Sequence, residues 1–129
     1  MKLLLDTCTF LWLAGGGSLS PAAAAAVRDP SHDVYLSAAS VWEAVIKYAL
    51  GKLPLPESPA EYLPRQREAH RIAALPIEEA AFVHLATLPP LHRDPFDRIL
   101  IAQTLQHDMR LATVDDAVRS YPVPLLPRA

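Results

Sequence analysis

The sequence predicts an α/β fold in which a parallel sheet of four or five strands is covered by helices on both faces. Short apolar runs of strand length alternate with helical segments along the chain, which is the pattern of a parallel sheet. The 13 prolines fall mostly at the boundaries between these segments. The chain has 129 residues, 51% of them hydrophobic and 20% charged, so it is too apolar to be disordered. We therefore expect a single domain over residues 1–129.

Five apolar runs are short enough to be buried strands. The first ends abruptly at Asp6, and the second follows a polar turn that contains Pro30. The predicted strands are residues 3–5, 34–36, 71–75 and 111–113, with residues 123–126 as a possible fifth strand.

Six segments have helical patterns with recognisable ends. They are residues 9–14, 22–28, 39–50, 58–69, 77–85 and 96–107. Ser20 followed by Pro21 is a helix start signal, and Gly51 is a stop signal. Pro64 is expected to kink or split its helix, because proline lacks the N–H that a helix interior uses. Apolar residues nearly encircle the last helix, so we expect it to be buried.

Four carboxylates occupy positions that a parallel sheet would bring to one edge. Asp6 directly follows the first strand, and Asp115 lies just beyond the fourth. Glu43 is one turn into the helix after the second strand, and Asp97 is in the first turn of the last helix. Ligands of open α/β sheets bind beyond the carboxyl ends of the strands, so these side chains can converge there.

Clustered carboxylates favour a particular chemistry. They raise one another's pKa unless a cation lies between them. Hard divalent cations such as Mg²⁺ take oxygen ligands and need only one or two carboxylates, with water completing the shell. Such ions can activate a water and stabilise the leaving oxygen of a phosphodiester. The pattern therefore predicts metal-assisted phosphodiester hydrolysis.

Each acidic position also has a purely structural interpretation, and for Asp6 it is a turn residue at the end of its strand. Glu43 and Lys47 are four residues apart, the spacing of an ion pair on a solvated helix face. Asp94 is best explained as a helix N-cap, and Asp97 would also suit the first turn of that helix. Asp115, or the aspartate after it, could begin a short final helix.

Four groups of short motifs follow one another along nearly the whole chain. They are LLLDT at residues 3–7, SAASVWE at 37–43 with Lys47 and GKL at 51–53, DPFDR at 94–98 with IAQ at 101–103, and LATVD at 111–115. In kind and order they resemble the motifs of PIN-domain toxins of the VapC type. The resemblance implies a PIN-like three-layer α/β/α sandwich. It also implies a metal-dependent endoribonuclease that acts as the toxin of a type II toxin–antitoxin pair.

The resemblance assigns roles to the acidic residues. Asp6 and Asp97 would bind Mg²⁺, or Mn²⁺ in its place, directly. Glu43 and Asp115 would complete the metal and catalytic pocket by holding a second ion or the attacking water, with the Thr113 hydroxyl beside them. The implied partners are an RNA substrate, a cognate antitoxin protein and a second copy of the chain in a homodimer. DNA would be reached only through the antitoxin.

Two other functions are compatible with the residues. A catalytically degenerate PIN-like binding module would keep the fold and bind a partner through its apolar surface. A haloacid-dehalogenase-like phosphatase is suggested by LDTCT at residues 5–9 and by the pair Asp115 and Asp116. However, Cys8 stands where that family has its second aspartate, so the usual general acid is lacking.

The other distinctive side chains have structural interpretations. The single cysteine, Cys8, excludes an intrachain disulfide framework and a Cys-rich zinc site, and we expect it to be buried in the core. Trp12 and Trp42 are expected to pack in the core or in an interface. The five histidines show no paired metal-ligand spacing, so they are expected on the surface or in loops. Lys47 and Arg98 are expected to offset carboxylate charge.

Charge and hydropathy favour a cytoplasmic protein without membrane association. The net charge of −2 provides no strong positive field for nucleic acid. The densest basic stretch, residues 65–71, is interpreted mainly as a solvated helix face, although it could contact RNA phosphates. Residues 7–27 are uncharged but contain three consecutive glycines and Pro21, unlike a membrane helix. Asp6 interrupts the apolar start that a signal peptide would need.

Overall fold

Four parallel strands form the central sheet of the computed structural model, which describes residues 1–17 and 19–127. The strands are β1 (Lys2–Leu5), β2 (Asp33–Ser37), β3 (Ala73–Leu75) and β4 (Arg110–Ala112). Their order in the sheet is β3-β2-β1-β4, and every neighbouring pair is parallel. The α/β class and the parallel sheet predicted from the sequence are confirmed.

Helices connect and cover the strands. Within the described ranges they are α1 (Thr7–Gly15), α2 (Pro21–Arg28), α3 (Ala38–Ala49), α4 (Pro59–Ala69), α5 (Ala81–Thr87), α6 (Pro95–Gln106) and α7 (Asp116–Arg119). The Ser20 hydroxyl accepts a hydrogen bond from the Ala23 N–H at 3.1 Å, as the start signal of α2 predicts. Pro64 lies inside α4, which continues through it without splitting. No helix in the described part of the chain combines the length and the apolar character needed to span a membrane.

The core lies on both faces of the sheet. Side chains alternate between the faces of a strand, and in the buried strand β1 this alternation divides three leucines between two clusters. Leu4 packs with buried residues of α6, whereas Leu3 and Leu5 pack with buried residues of α1 and α4. Residues 99–104 of α6 are all buried, as their apolar pattern predicts. Two covered faces give the three-layer α/β/α arrangement.

The last predicted strand is reduced to a single contact. Residues 123–126 do not extend the sheet, and only Leu125 forms an isolated parallel bridge, to Leu111 of β4. Prolines at positions 122, 124 and 127 lack the N–H groups that a continuous ladder requires, so the pairing cannot propagate.

Two other elements begin later than predicted. Strand β3 starts at Ala73 rather than at residue 71, because Arg71 adopts a left-handed backbone with φ of 56°, which no strand accommodates. Helix α5 starts at Ala81 rather than at residue 77. The preceding residues form a turn instead, in which the Ala81 N–H donates to the Glu78 carbonyl at 3.0 Å.

Candidate active site

Asp6 lies at the junction of β1 and α1. Its N–H donates to the Ala112 carbonyl at 3.1 Å, and its Oδ1 accepts from the Thr9 N–H at 2.8 Å as the N-cap of α1. Burial raises the pKa of Asp6 above its usual value near 3.8, although hydrogen bonds from Thr113 and Thr9 oppose the change. The nearby charge of Asp115 raises that pKa further. Asp6 is therefore a buried acid fixed at the carboxyl end of an interior strand.

Glu43 lies on the second turn of α3 and is only 5% exposed. Its Oε1 accepts a hydrogen bond from the Thr7 hydroxyl at 2.7 Å, and Thr7 Oγ1 also lies 2.9 Å from Ser40 Oγ. The Lys47 ammonium forms an ion pair with Oε2. The pair of Glu43 and Lys47 predicted from their spacing therefore exists. Its carboxylate, however, is buried in the protein and not on a solvated face.

Asp97 is the third residue of α6, where the N-cap function belongs to Asp94. The Asp94 Oδ1 accepts from the Asp97 N–H at 3.3 Å. Asp97 Oδ2 lies 3.1 Å from His92 Nε2. Burial raises the pKa of Asp97 to about 6; the hydrogen bond from His92 opposes this change, and the charges of Asp94, Asp115 and Glu43 reinforce it.

Asp115 lies between β4 and α7. Its Oδ1 accepts from the Ala117 N–H at 2.8 Å, so it is the N-cap of α7. Its own N–H donates to Thr113 Oγ1 at 3.1 Å. Thr113 is buried and Asp115 is exposed. The structure thus gives Asp115 the helix-starting role predicted for one of the two consecutive aspartates.

The structure brings these four carboxylates to one cavity of about 220 Å³ at the carboxyl edge of the sheet. Besides Asp6, Glu43, Asp97 and Asp115, its lining consists of Thr7, Cys8, Trp12 and Val114. The acids come from four separate parts of the chain, and the charge of Asp115 raises the pKa of two of them. Negative charge is therefore concentrated in a small, partly buried volume.

This set of oxygen donors fits a hard divalent cation. Carboxylates are the ligands that Mg²⁺ prefers, and a cation would relieve the repulsion that raises their pKa values. Within residues 1–17 and 19–127, no three Asp, Glu, His or Cys side chains form a cluster that could hold an ion by themselves. The cavity therefore suits an ion that is bound through one or two carboxylates, with water molecules as its other ligands, as is usual for Mg²⁺.

Cys8 differs from the prediction, and the two tryptophans exclude one of their two predicted locations. The Cys8 thiol is exposed and lines the same cavity as the carboxylates, because its neighbours Thr7 and Thr9 take the buried positions of α1. The expectation of a buried core cysteine is wrong. Trp12 and Trp42 are 39% and 58% exposed, so neither is a core residue, and their packing in an interface stays a prediction.

His92 is the residue of this site that sequence reasoning missed. It lies in a loop, as expected for a histidine here, but its partly buried ring contacts both Asp97 and Tyr121. The sequence carries no signal for it, since residues of an irregular loop have no spacing that predicts their contacts. Arg98 was expected to offset carboxylate charge, but it donates to the Pro89 carbonyl and the Tyr121 hydroxyl instead.

The basic stretch at residues 65–71 lies away from the carboxylates. Arg65 forms an ion pair with Glu57, and Arg67 forms one with Glu68 at 3.7 Å. None of its residues lines the acidic cavity. These pairs agree with a solvated helix face.

The fold and the acidic cavity define the class of this protein. The chain belongs to the PIN domain family, whose family model matches residues 3–123. The family predicted from the motifs is therefore confirmed.

Individual relatives carry the similarity further. The chain is 42% identical over 60 residues to Ribonuclease VapC16 of Mycobacterium tuberculosis. That alignment spans 46% of this chain and 43% of that protein, which is less than half the length of each. The resemblance to VapC proteins that the motifs indicated thus appears in a sequence comparison as well.

Three solved structures share the fold. VapBC2 from Rickettsia felis, bound to a DNA fragment from their promoter, matches with a TM-score of 0.75 and 13% identity over 98% of both chains. VapBC-1 from nontypeable Haemophilus influenzae matches with a TM-score of 0.63 and 16% identity, over 93% of this chain and 91% of that one. FitAcB from Neisseria gonorrhoeae matches with a TM-score of 0.57 and 21% identity, over 98% and 97%. At these identities the matches establish a common fold.

Proposed function

We propose that this PIN domain is a metal-dependent endoribonuclease and the toxin of a type II toxin–antitoxin pair. The observation that carries the proposal is the convergence of four carboxylates on one cavity at the carboxyl edge of the sheet. Similarity to Ribonuclease VapC16 supports RNA as the substrate. Similarity of fold to two VapBC structures and to FitAcB supports a protein partner of the antitoxin kind.

Asp6 and Asp97 are the residues that would hold Mg²⁺, or Mn²⁺ in its place. The ion, when bound, supplies a more acidic water and compensates the charge that develops on the phosphodiester. The protein's contribution is orientation. Asp6 is held by the Thr9 N–H, and Glu43 is held by Thr7 and Lys47, so neither needs to move during the reaction.

Asp115 is suited to hold the attacking water. Its Oδ1 is engaged with the Ala117 N–H, while no hydrogen bond to Oδ2 is found in the described part of the chain. That oxygen can accept a hydrogen bond from water and then its proton. Glu43 differs, because both of its oxygens already have partners, so its role is to keep the pocket negative and rigid.

The charge balance requires a cation before RNA binds. The chain has a net charge of −2, and the cavity adds a local concentration of carboxylates. RNA phosphates would be repelled from the metal-free pocket. Cleavage is therefore expected to depend on divalent cations and to weaken as salt screens the remaining attraction.

An apolar surface is available for the proposed protein partners. Trp42 is exposed and contacts Phe96 edge-on, with ring centroids 5.0 Å apart. Trp42 also lines a groove of about 660 Å³ formed by residues of β2, α3, α4, β3 and the residue after β3, among which Arg67 is the single charged side chain. We propose that an amphipathic segment of the antitoxin covers such a surface and places a basic side chain near the carboxylates. The proposed homodimer is tested separately, by sedimentation of the antitoxin-free protein.

Cleavage of a total RNA pool by antitoxin-free protein tests the function. Reactions contain Mg²⁺, Mn²⁺ or EDTA, and Asp97→Asn is assayed in parallel. We expect discrete, metal-dependent products that the variant does not form. Asp94→Asn is the matched control, because it removes a charge from the same turn while asparagine still caps the helix, and it should cleave within a few-fold of wild type.

Two outcomes would contradict the proposal. Equal cleavage by Asp97→Asn and wild type would show that Asp97 does not take part in catalysis or metal binding. No cleavage by folded, metal-loaded protein, on this pool and on purified structured RNAs, would favour the degenerate binding module. The haloacid-dehalogenase-like alternative loses its support, because the chain belongs to the PIN family and Cys8 occupies the position of the required second aspartate.

A further inference from the structure

A chain of hydrogen bonds runs from the C-terminal part of the fold to Asp97. The Tyr121 hydroxyl lies 2.8 Å from His92 Nδ1, and His92 Nε2 lies 3.1 Å from Asp97 Oδ2. Tyr121 follows α7 and is buried in the core, where its ring also contacts the His92 ring edge-on. A loop residue is thus fixed between a core side chain and a carboxylate of the cavity.

With the Asp97 carboxylate ionised and the His92 ring neutral, donor and acceptor chemistry sets the direction of this chain. An ionised carboxylate only accepts hydrogen bonds, so His92 Nε2 carries the proton and donates to Asp97. In the neutral ring Nδ1 is then an acceptor, and the Tyr121 O–H donates to it. The Tyr121 oxygen accepts in turn from Arg98 Nη1 at 2.8 Å and from the His92 N–H at 3.2 Å. Every group in the chain has a partner of the correct kind.

The Asp97 carboxylate is held by one side-chain hydrogen bond, whereas the other carboxylates of the cavity have backbone donors or two partners. The Asp6 and Asp115 carboxylates accept from backbone N–H groups of the helices that they cap. Asp97 is in the first turn of α6, but Asp94 takes the capping position and uses the free N–H groups there. In the described part of the chain, the hydrogen bond from His92 is the one that Asp97's carboxylate receives.

We propose that His92, held by Tyr121, is a positioning residue that orients the Asp97 carboxylate toward the divalent cation. This inference rests on the proposed metal-dependent function and extends it to two residues outside the acidic set. His92 engages Oδ2, while Oδ1 has no hydrogen bond from a described residue, and Asp97 lines the cavity. Without His92, the terminal torsion of Asp97 would be weakly restrained, because rotation about this bond is broad in aspartate.

The test is the affinity of the antitoxin-free protein for Mn²⁺, measured by titration calorimetry. Loss of a hydrogen-bond partner of a metal-binding carboxylate typically weakens metal affinity about 10–100-fold, and we expect a change of that size for His92→Ala. His92→Gln, which keeps a side-chain N–H, should restore most of the affinity. Tyr121→Phe removes only the hydroxyl and should give an intermediate loss.

His107→Ala is the matched control. His107 is also partly buried and also faces a carboxylate, with its Nε2 3.4 Å from Glu78 Oε1, but it follows the opposite end of α6. The Mn²⁺ affinity of this variant should stay within twofold of wild type. A second readout is RNA cleavage: raising Mn²⁺ to saturation should return the rate of His92→Ala toward that of wild type, because a positioning role acts through metal binding.

The outcomes separate this inference from the function on which it rests. If wild type binds Mn²⁺ and folded His92→Ala binds it equally well, the positioning role is refuted and the nuclease proposal stands. Equal weakening by His92→Gln and His92→Ala, without rescue, would also refute it. If wild type itself does not bind Mn²⁺, the proposed function and this inference both fail.

Discussion

Replacing Asp97 by asparagine is expected to stabilise the metal-free protein while it removes the proposed activity. The reason lies in the burial of Asp97 and in the neighbouring negative charges, which raise its pKa to about 6. At neutral pH the folded protein must keep this group ionised in an unfavourable environment. Asparagine has nearly the same shape, can still meet the His92 ring and carries no charge.

The size of the effect follows from the pKa. A carboxyl group whose pKa rises from 3.8 to about 6 on folding opposes folding by about 3 kcal/mol, at 1.36 kcal/mol for each pKa unit. The side chain is 18% exposed, and solvent screening reduces the recoverable part to roughly 1–2 kcal/mol. Loss of a favourable charge in the first turn of α6 offsets about 0.3–1 kcal/mol of this. A net gain near 1 kcal/mol would raise Tm by about 3–5 °C.

The dependence on pH identifies the cause. Because the folded pKa of Asp97 is raised, the group costs no stability below pH 3.8, where it is protonated in both states, and the stability present there is lost as the pH rises through about 6. The advantage of Asp97→Asn should therefore be about a third of its full size at pH 4.5, grow as the pH rises to 6.5, and stay constant to pH 8. Thermal unfolding followed by circular dichroism in EDTA measures it. Glu68→Gln, on an exposed side chain of α4, is the control and should change little at any pH.

Two results would refute this reasoning. One is an asparagine variant that is no more stable than wild type at pH 7.5 in EDTA. The other is an advantage of the same size at pH 4.5 and pH 7.5, which would show that relief of buried charge is not its cause. Added Mg²⁺ should reverse the order, because a ligand that binds the folded state stabilises wild type and not the variant.

Two further predictions concern the walls of the cavity. Thr7→Val removes the hydroxyl that donates to Glu43 Oε1, so the free energy of unfolding measured in urea should fall by about 1–3 kcal/mol. An unchanged free energy of unfolding would show that this hydrogen bond does not stabilise the fold. A bulky maleimide on Cys8 should fill part of the cavity and abolish RNA cleavage, with the Cys8→Ser variant active and insensitive to the reagent. Labelling should be slow at pH 7 and faster at higher pH, because partial burial in the cavity wall and the nearby Asp6 and Glu43 charges raise the pKa of the thiol. Inhibition of Cys8→Ser by the reagent would contradict the prediction.

The parts of the structure that the sequence predicts are those set by local patterns. Alternation of strand and helix signals predicted the parallel sheet. Acids placed just after strands, such as Asp6 and Asp115, could be assigned to the carboxyl edge because every parallel strand ends there. The capping role of Asp94 followed from its place before a proline and a helix, and the structure has that hydrogen bond.

The parts that could not be predicted depend on contacts between distant residues or on weak patterns. His92 and Tyr121 are 29 residues apart, and no periodicity links a loop histidine to a tyrosine beyond α7. The exposure of Cys8 was missed because α1 is apolar on all sides, so its sequence does not indicate which residues face the cavity. The reduced fifth strand reflects three prolines, whose missing N–H groups outweigh the apolar residues between them.

The position of β1 inside the sheet determines when the cavity can form during synthesis. This strand is made first, yet its two neighbours are β2 and β4, and β4 begins only at Arg110. A ribosome that has made half of the chain has produced Asp6 and Glu43 but neither Asp97 nor Asp115. Such a nascent chain leaves one edge of β1 unpaired and has only half of the acids. The proposed ribonuclease can therefore become active only after nearly the whole domain has emerged from the ribosome, when the proposed antitoxin can bind it.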